Sequence, residues 1–99
     1  MLRVGPASDV PPGAVREARA GGRAWAVCNI GGELHAVSGE CPHRDGPLGH
    51  GALHGYTLVC PWHAWEFDVR TGECSAGLDC RIGAYPVTLR GGDIYIETD

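Results

Sequence analysis

Short runs of alternating apolar and polar residues, separated by glycine, make up the first third of the chain. The segment Arg23–Ile30 alternates the large apolar residues Trp25 and Val27 with smaller ones. The pair Gly31-Gly32 follows and is a typical two-residue hairpin connection. Glu33–Val37 then resumes an apolar pattern. This pattern predicts an antiparallel hairpin.

The rest of the chain repeats the same pattern in shorter segments. Its 16 glycines and 7 prolines divide it often, and no stretch has sustained helical periodicity with capping residues. We therefore predict an all-β fold of small stacked antiparallel sheets in one domain, residues 1–99. The other predicted strands are Val15–Ala20, Tyr56–Val59, Trp65–Asp68, Tyr85–Leu89 and Ile94–Glu97.

Charge and hydropathy restrict the possible functions. The net charge of −4 argues against a nucleic-acid-binding protein and favours protein partners with a basic face. No apolar run is long enough to cross a membrane, and the N-terminus lacks the apolar core of a signal peptide. We expect a cytoplasmic protein that is monomeric when free and binds neither nucleic acid nor membrane.

Two short motifs carry recognisable chemistry. Cys41-Pro42-His43 and Cys60-Pro61-Trp62-His63 each supply one thiol and one imidazole, which are ligands for zinc or iron. Two cysteines and two histidines could close a tetrahedral zinc site, in which like ligands are usually paired. Here each cysteine is paired with a histidine instead. That mixture favours a binuclear cluster with one iron on two cysteines and the other on two histidines.

The two motifs and their flanks resemble those of small bacterial Rieske-type ferredoxins. The matching flanks are Gly46-Pro47-Leu48 after the first motif and Ala64–Asp68 after the second, and the resemblance extends from Arg23 to the C-terminus. It implies three antiparallel sheets, with one [2Fe–2S] cluster held by loops at about residues 39–68. The implied ligands are Cys41 and Cys60 on the inner iron and His43 and His63 on the outer iron, near the surface.

The resemblance also implies a function. It predicts a one-electron carrier, reduced by a flavoprotein reductase and oxidised by an oxygenase of the ring-hydroxylating type. Such a carrier has no catalytic residues, and 99 residues leave no room for the second, mononuclear iron domain that an oxygenase needs. Two alternatives remain open at this stage: a small subunit of a nitrite-reductase-type enzyme, and a zinc-stabilised interaction module.

Four positions near the motifs predict a low reduction potential. High-potential relatives carry an extra disulfide whose cysteines correspond to Gly46 and Trp62. They also place hydroxyl groups against the cluster sulfurs at positions corresponding to Trp65 and Phe67. Without those hydroxyls the cluster accepts fewer hydrogen bonds, so we expect a potential near the bottom of the Rieske range.

The remaining cysteines and histidines are assigned no ligand role. Cys28 is expected to be a small buried apolar residue in a strand. Cys74 and Cys80 flank a turn-like segment that lacks the prolines of many relatives. They could form a redox-sensitive pair, but the sequence gives no Cα separation, so we do not expect a disulfide. His35 is expected on the exposed side of a strand, and His50 and His54 on surface loops.

Overall fold

The computed structural model describes residues 1–41, 46–62, 64–75 and 80–98, and within them the fold is all-β as predicted. The helical elements in these ranges are two three-residue 3₁₀ turns, at Ala7–Asp9 and Leu48–His50. No helix in the same ranges has the length and apolar character needed to cross a membrane. The strands are β1 Leu2–Pro6, β2 Val15–Ala20, β3 Arg23–Ile30, β4 Glu33–Ser38, β5 Ala52–His54, β6 Thr57–Val59, β7 Glu66–Asp68, β8 Ala84–Tyr85, β9 Val87–Arg90 and β10 Asp93–Ile96.

These strands form three antiparallel sheets. The central sheet has the order β2-β3-β4-β8, the terminal sheet β1-β10-β9 and the small sheet β5-β6-β7. The predicted hairpin at Gly31-Gly32 joins β3 to β4, with Ile30 opposite Glu33. The terminal sheet pairs the two ends of the chain, with Leu2 opposite Ile96.

Strand β3 lies at the centre of the packing because both of its faces are covered. Trp25 and Val27 face the terminal sheet, where they pack in clusters that contain Ile96 and Ile94 respectively. Ala26 and Cys28 belong instead to the core beside the small sheet. The sheet residues on that side are small, which leaves room for the loops that bear the two cysteine motifs. Cys28 is fully buried, as predicted.

Several details differ from the prediction. Strands β1 and β5 were not predicted. The expected strand Tyr85–Leu89 is interrupted, because Pro86 has no N–H to donate to a ladder; β8 ends before it and β9 begins after it. The prediction for His35 was wrong, since its side chain is only 19% exposed. The small sheet covers this part of β4, so the His35 ring meets Tyr56 edge-on and pairs with Glu33.

Candidate metal centre

The first cysteine motif begins three residues after the end of β4. The Cys41 N–H donates a 2.9 Å hydrogen bond to the Gly46 carbonyl, and Glu40 forms an isolated β-bridge with Pro47. These contacts bring the two ends of the first loop together. Cys41 is 1% exposed, so its thiol lies inside the protein.

The second motif begins directly after β6. The Cys60 N–H donates a 2.8 Å hydrogen bond to the Trp65 carbonyl, which closes the second loop. Ala64 takes a left-handed conformation with a φ of 56°, which costs a non-glycine residue about 1–2 kcal/mol. Such strain is typical of functional loops, and here it lets the chain turn sharply from the second motif into β7. Cys60 is 2% exposed.

The two loops bring the thiols of Cys41 and Cys60 together. Burial raises the pKa of the Cys60 thiol, the adjacent Cys41 thiol raises it further, and the Trp62 N–H, 3.4 Å from Cys60 Sγ, opposes both effects. In the free protein the Cys60 thiol is therefore held in its protonated form. Metal ions bind the thiolate and displace the proton, so two adjacent buried thiols fit a thiophilic metal such as iron.

The two imidazoles predicted to complete the site, His43 and His63, lie outside the described residues. Among the residues that are described, no group of three or more potential metal ligands occurs. His50 and His54 are exposed, as predicted, and His50 pairs with Glu17 of β2 at 3.4 Å. The described half of the site is thus a pair of thiols without any competing ligand cluster.

A family model described as "Rieske [2Fe-2S] domain" matches residues 1–86. The chain belongs to the Rieske [2Fe–2S] family. The cofactor of this family is a [2Fe–2S] cluster, and two adjacent buried thiols fit the sulfur donors that such a cluster requires.

Relatives of similar length define the family branch more closely. Ferredoxin CarAc of Metapseudomonas resinovorans is 33% identical over 97 residues, covering 96% of this chain and 91% of the relative. The ferredoxin of carbazole 1,9a-dioxygenase from Nocardioides aromaticivorans has a TM-score of 0.86 and 30% identity, covering 98% and 96% of the two chains. This chain is accordingly an electron-transfer protein of the Rieske ferredoxin type and not itself an enzyme.

A second similar structure contains a ferredoxin bound to an oxygenase. It is the complex of reduced oxygenase and oxidised ferredoxin in carbazole 1,9a-dioxygenase, with a TM-score of 0.82 and 33% identity. The match covers 96% of this chain and 90% of that one.

The Rieske correspondences drawn from sequence agree with the structure. A Cβ built on Gly46 lies 3.4 Å from the Trp62 Cβ, close to the spacing of about 3.8 Å that a disulfide requires. Positions 46 and 62 therefore are neighbours, and this chain lacks a cross-link there. Phe67 is 1% exposed in the core that contains Cys41 and Cys60, and its ring has no hydroxyl to donate.

Trp62 lies at the surface beside the thiols. Its side chain is 48% exposed although it follows the buried Cys60 by only two residues. Trp62 is therefore not a core residue. Its indole can instead form part of a contact surface next to the metal centre.

The prediction for Cys74 and Cys80 was wrong. The two residues form a disulfide with a Cα–Cα distance of 5.6 Å. The fold sets this distance, because Ile82 N–H bonds to the Gly72 carbonyl at 2.9 Å and draws the two ends of the segment together. A glycine at 72 is required there, since a side chain would clash with the Ile82 carbonyl. The close spacing of the two cysteines was the available signal.

Proposed function

We propose that this Rieske ferredoxin carries single electrons from a flavoprotein reductase to the oxygenase component of a ring-hydroxylating system. The observation that supports this most directly is the pair of buried thiols, Cys41 and Cys60, in a chain that matches dioxygenase ferredoxins over nearly its whole length. A structure of such a relative bound to its oxygenase makes the oxygenase the expected acceptor.

In this proposal Cys41 and Cys60 hold the inner iron, and His43 and His63 hold the outer iron. When bound, the cluster supplies a site that gains and loses one electron without making or breaking a bond in a substrate. The surrounding residues set its properties. Core side chains exclude water from the thiolates, and the Trp62 N–H donates to Cys60 Sγ. Trp65 and Phe67 carry no hydroxyl to donate to the sulfurs, which favours a low potential and suits delivery of electrons to an oxygenase.

The distribution of charge indicates the chemistry of the partner. Residues 39–80 contain six acidic side chains and two arginines, whereas the remainder contains six of each. The net charge of −4 therefore lies entirely in the segment that carries the metal centre. The carboxylates of Glu40, Glu66 and Glu73 are on exposed residues. Together with the exposed Trp62 they favour an acceptor with a basic face and an apolar contact point.

We also propose a cytoplasmic location and a single domain. Reductases and oxygenases of the kind proposed here must meet the carrier in the same compartment. Fractionation of cells that produce the protein, followed by immunodetection, tests the location directly.

The functional test is stopped-flow oxidation of the reduced protein by the oxygenase component of the carbazole 1,9a-dioxygenase system. We expect a second-order rate that falls as ionic strength rises, because opposite charges steer the encounter. Trp62→Ala should lower the rate, and Glu66→Gln with Glu73→Gln should lower it and weaken its dependence on salt. Leu89→Ala is the matched control, since Leu89 is 55% exposed in β9 of the terminal sheet.

Equal rates for all variants would overturn the docking surface while leaving the electron-carrier function in place. Failure of the wild-type protein to transfer any electron, despite a reducible cluster, would overturn the oxygenase as acceptor. The nitrite-reductase-type subunit would then be the next function to test.

A further inference from the structure

The Cys74–Cys80 disulfide lies beside the metal centre and has no part in the function proposed above. Cys74 forms an isolated β-bridge with Phe67 and packs against the core that includes Cys41 and Cys60. Cys80 is 5% exposed, whereas Cys74 is half-buried. Cys74 thus contacts the core beside the thiol ligands and also retains contact with solvent, whereas Cys80 is buried.

The surrounding backbone is held without the disulfide. The Ser75 N–H donates to the Glu66 carbonyl at 3.0 Å, and the Ile82 N–H donates to the Gly72 carbonyl at 2.9 Å. The disulfide closes a small ring, with a sequence separation of six. Its reduction should therefore leave these hydrogen bonds and the three sheets intact.

We propose that Cys74 and Cys80 form a second redox site, a thiol–disulfide couple that exchanges with dithiols and controls how firmly Cys74 is held against the core beside the metal centre. The proposal rests on the cytoplasmic location proposed above, because disulfides in that compartment are usually transient and redox-active rather than permanent. It does not depend on the identity of the electron acceptor.

The exchange is balanced with a dithiol as the reductant. One thiolate of the dithiol attacks Cys74 Sγ, the more accessible residue of the pair, and the Cys74–Cys80 bond breaks as the Cys80 thiolate leaves and takes up a proton. The second thiolate of the dithiol then attacks the first sulfur of the same dithiol, which is bonded to Cys74 Sγ in the mixed disulfide. That bond breaks, and the Cys74 thiolate leaves and takes up a proton. Two electrons and two protons reach the protein, and the dithiol becomes a cyclic disulfide.

Alkylation of the cluster-containing protein with iodoacetamide, before and after dithiothreitol treatment, tests the site by peptide mapping. We expect Cys74 and Cys80 to be recovered as a linked peptide before treatment and to be alkylated after it. Cys28, which is fully buried, should stay unmodified in both samples. Oxidised glutathione should restore the linked peptide.

The effect on the metal centre is measured as the rate at which the visible absorbance is lost to an iron chelator. We expect dithiothreitol to accelerate this loss several-fold. The double variant Cys74→Ser with Cys80→Ser should lose its absorbance at that faster rate and should not respond to dithiothreitol, which separates reduction of the disulfide from direct attack on the cluster.

Three results would overturn the proposal: alkylation of both cysteines without dithiothreitol, resistance of the disulfide to dithiothreitol in the native protein, or an absorbance loss that neither reduction nor the double variant alters. The reduced-state EPR signal would be present in each of these cases if the ferredoxin function is correct, so the two proposals fail separately.

Discussion

The substitution Gly46→Ala tests the geometry of the metal centre. A Cβ built at position 46 lies 2.8 Å from Cys60 Sγ and 3.4 Å from two side-chain carbons of Trp62. Ordinary contact requires roughly 3.5–4.0 Å, so the added methyl group must displace the sulfur or the loop by roughly 0.7 Å or more. A metal site tolerates changes of only about 0.2 Å in its ligand distances.

The expected loss follows from the cost of overpacking. Inserting a methyl group into a filled interior costs about 1–3 kcal/mol. If that cost applies to the cluster-bound protein, in which Cys60 Sγ must keep its position, the binding equilibrium for the cluster weakens roughly 5- to 150-fold. Iron and acid-labile sulfide analysis, together with the rate of absorbance loss to a chelator, measures this decrease.

A control separates this effect from a general loss of stability. Gly91→Ala places a methyl group where no atom lies within 4 Å, but at a φ of +59°, so it costs about 1–2 kcal/mol through backbone strain alone. It should lower the unfolding temperature and leave the iron content unchanged. A Gly46→Ala protein that folds, holds full iron and loses it at the wild-type rate would refute the geometry described here.

Three further predictions concern stability and potential. Burial raises the pKa of the Cys28 thiol to about 12 in the folded protein, whereas the thiol of an unfolded chain titrates at about 8.5. At a pH between these two values the unfolded state has lost the proton and the folded state has kept it. The free energy of unfolding therefore falls by about 1.4 kcal/mol for each unit by which the pH rises. Urea unfolding at several alkaline pH values should show a shallower decline for Cys28→Ala, and parallel declines would contradict this. Ala64→Gly should raise the free energy of unfolding by up to about 1 kcal/mol through relieved strain, which is measured as a higher urea midpoint. An unchanged midpoint would show that the loop holds no such strain. Phe67→Tyr should raise the reduction potential by roughly 60 mV for each 1.4 kcal/mol of preference for the reduced state, and protein-film voltammetry that finds no rise would show that the new hydroxyl does not reach the sulfurs.

Local sequence patterns predicted most of the strands whose partners are close in the chain, although β5, which pairs with the neighbouring β6, was missed. The hairpin β3–β4 needs only an alternating pattern on both sides of Gly31-Gly32, and its predicted and observed bounds nearly coincide. Strand β1 was missed because it pairs with β10, more than eighty residues away. Its own sequence ends in Gly5-Pro6 and gives little local indication of a strand.

For the metal centre, the sequence predicted which residues are candidate ligands but not how deeply they are buried. The pairing of each cysteine with a histidine is a local pattern that identifies the family, and the buried thiols of Cys41 and Cys60 agree with it. The Cys74–Cys80 disulfide and the partly covered His35 were not predicted. The two cysteines are close in sequence, but the fold sets the Cα–Cα distance that permits the bond. The cover of His35 depends on a contact with Tyr56, which is distant in the chain. Composition and spacing give the identity of candidate ligands, but burial and proximity are set by the fold.

The measurement that tests the central claim most directly is an EPR spectrum of the dithionite-reduced protein, with iron, sulfide and zinc analysis of the same sample. Cys41, His43, Cys60 and His63 as ligands predict a rhombic signal whose average g value lies below that of all-cysteine clusters, at two irons and two sulfides per chain. A colourless, EPR-silent protein that contains one zinc would contradict the account.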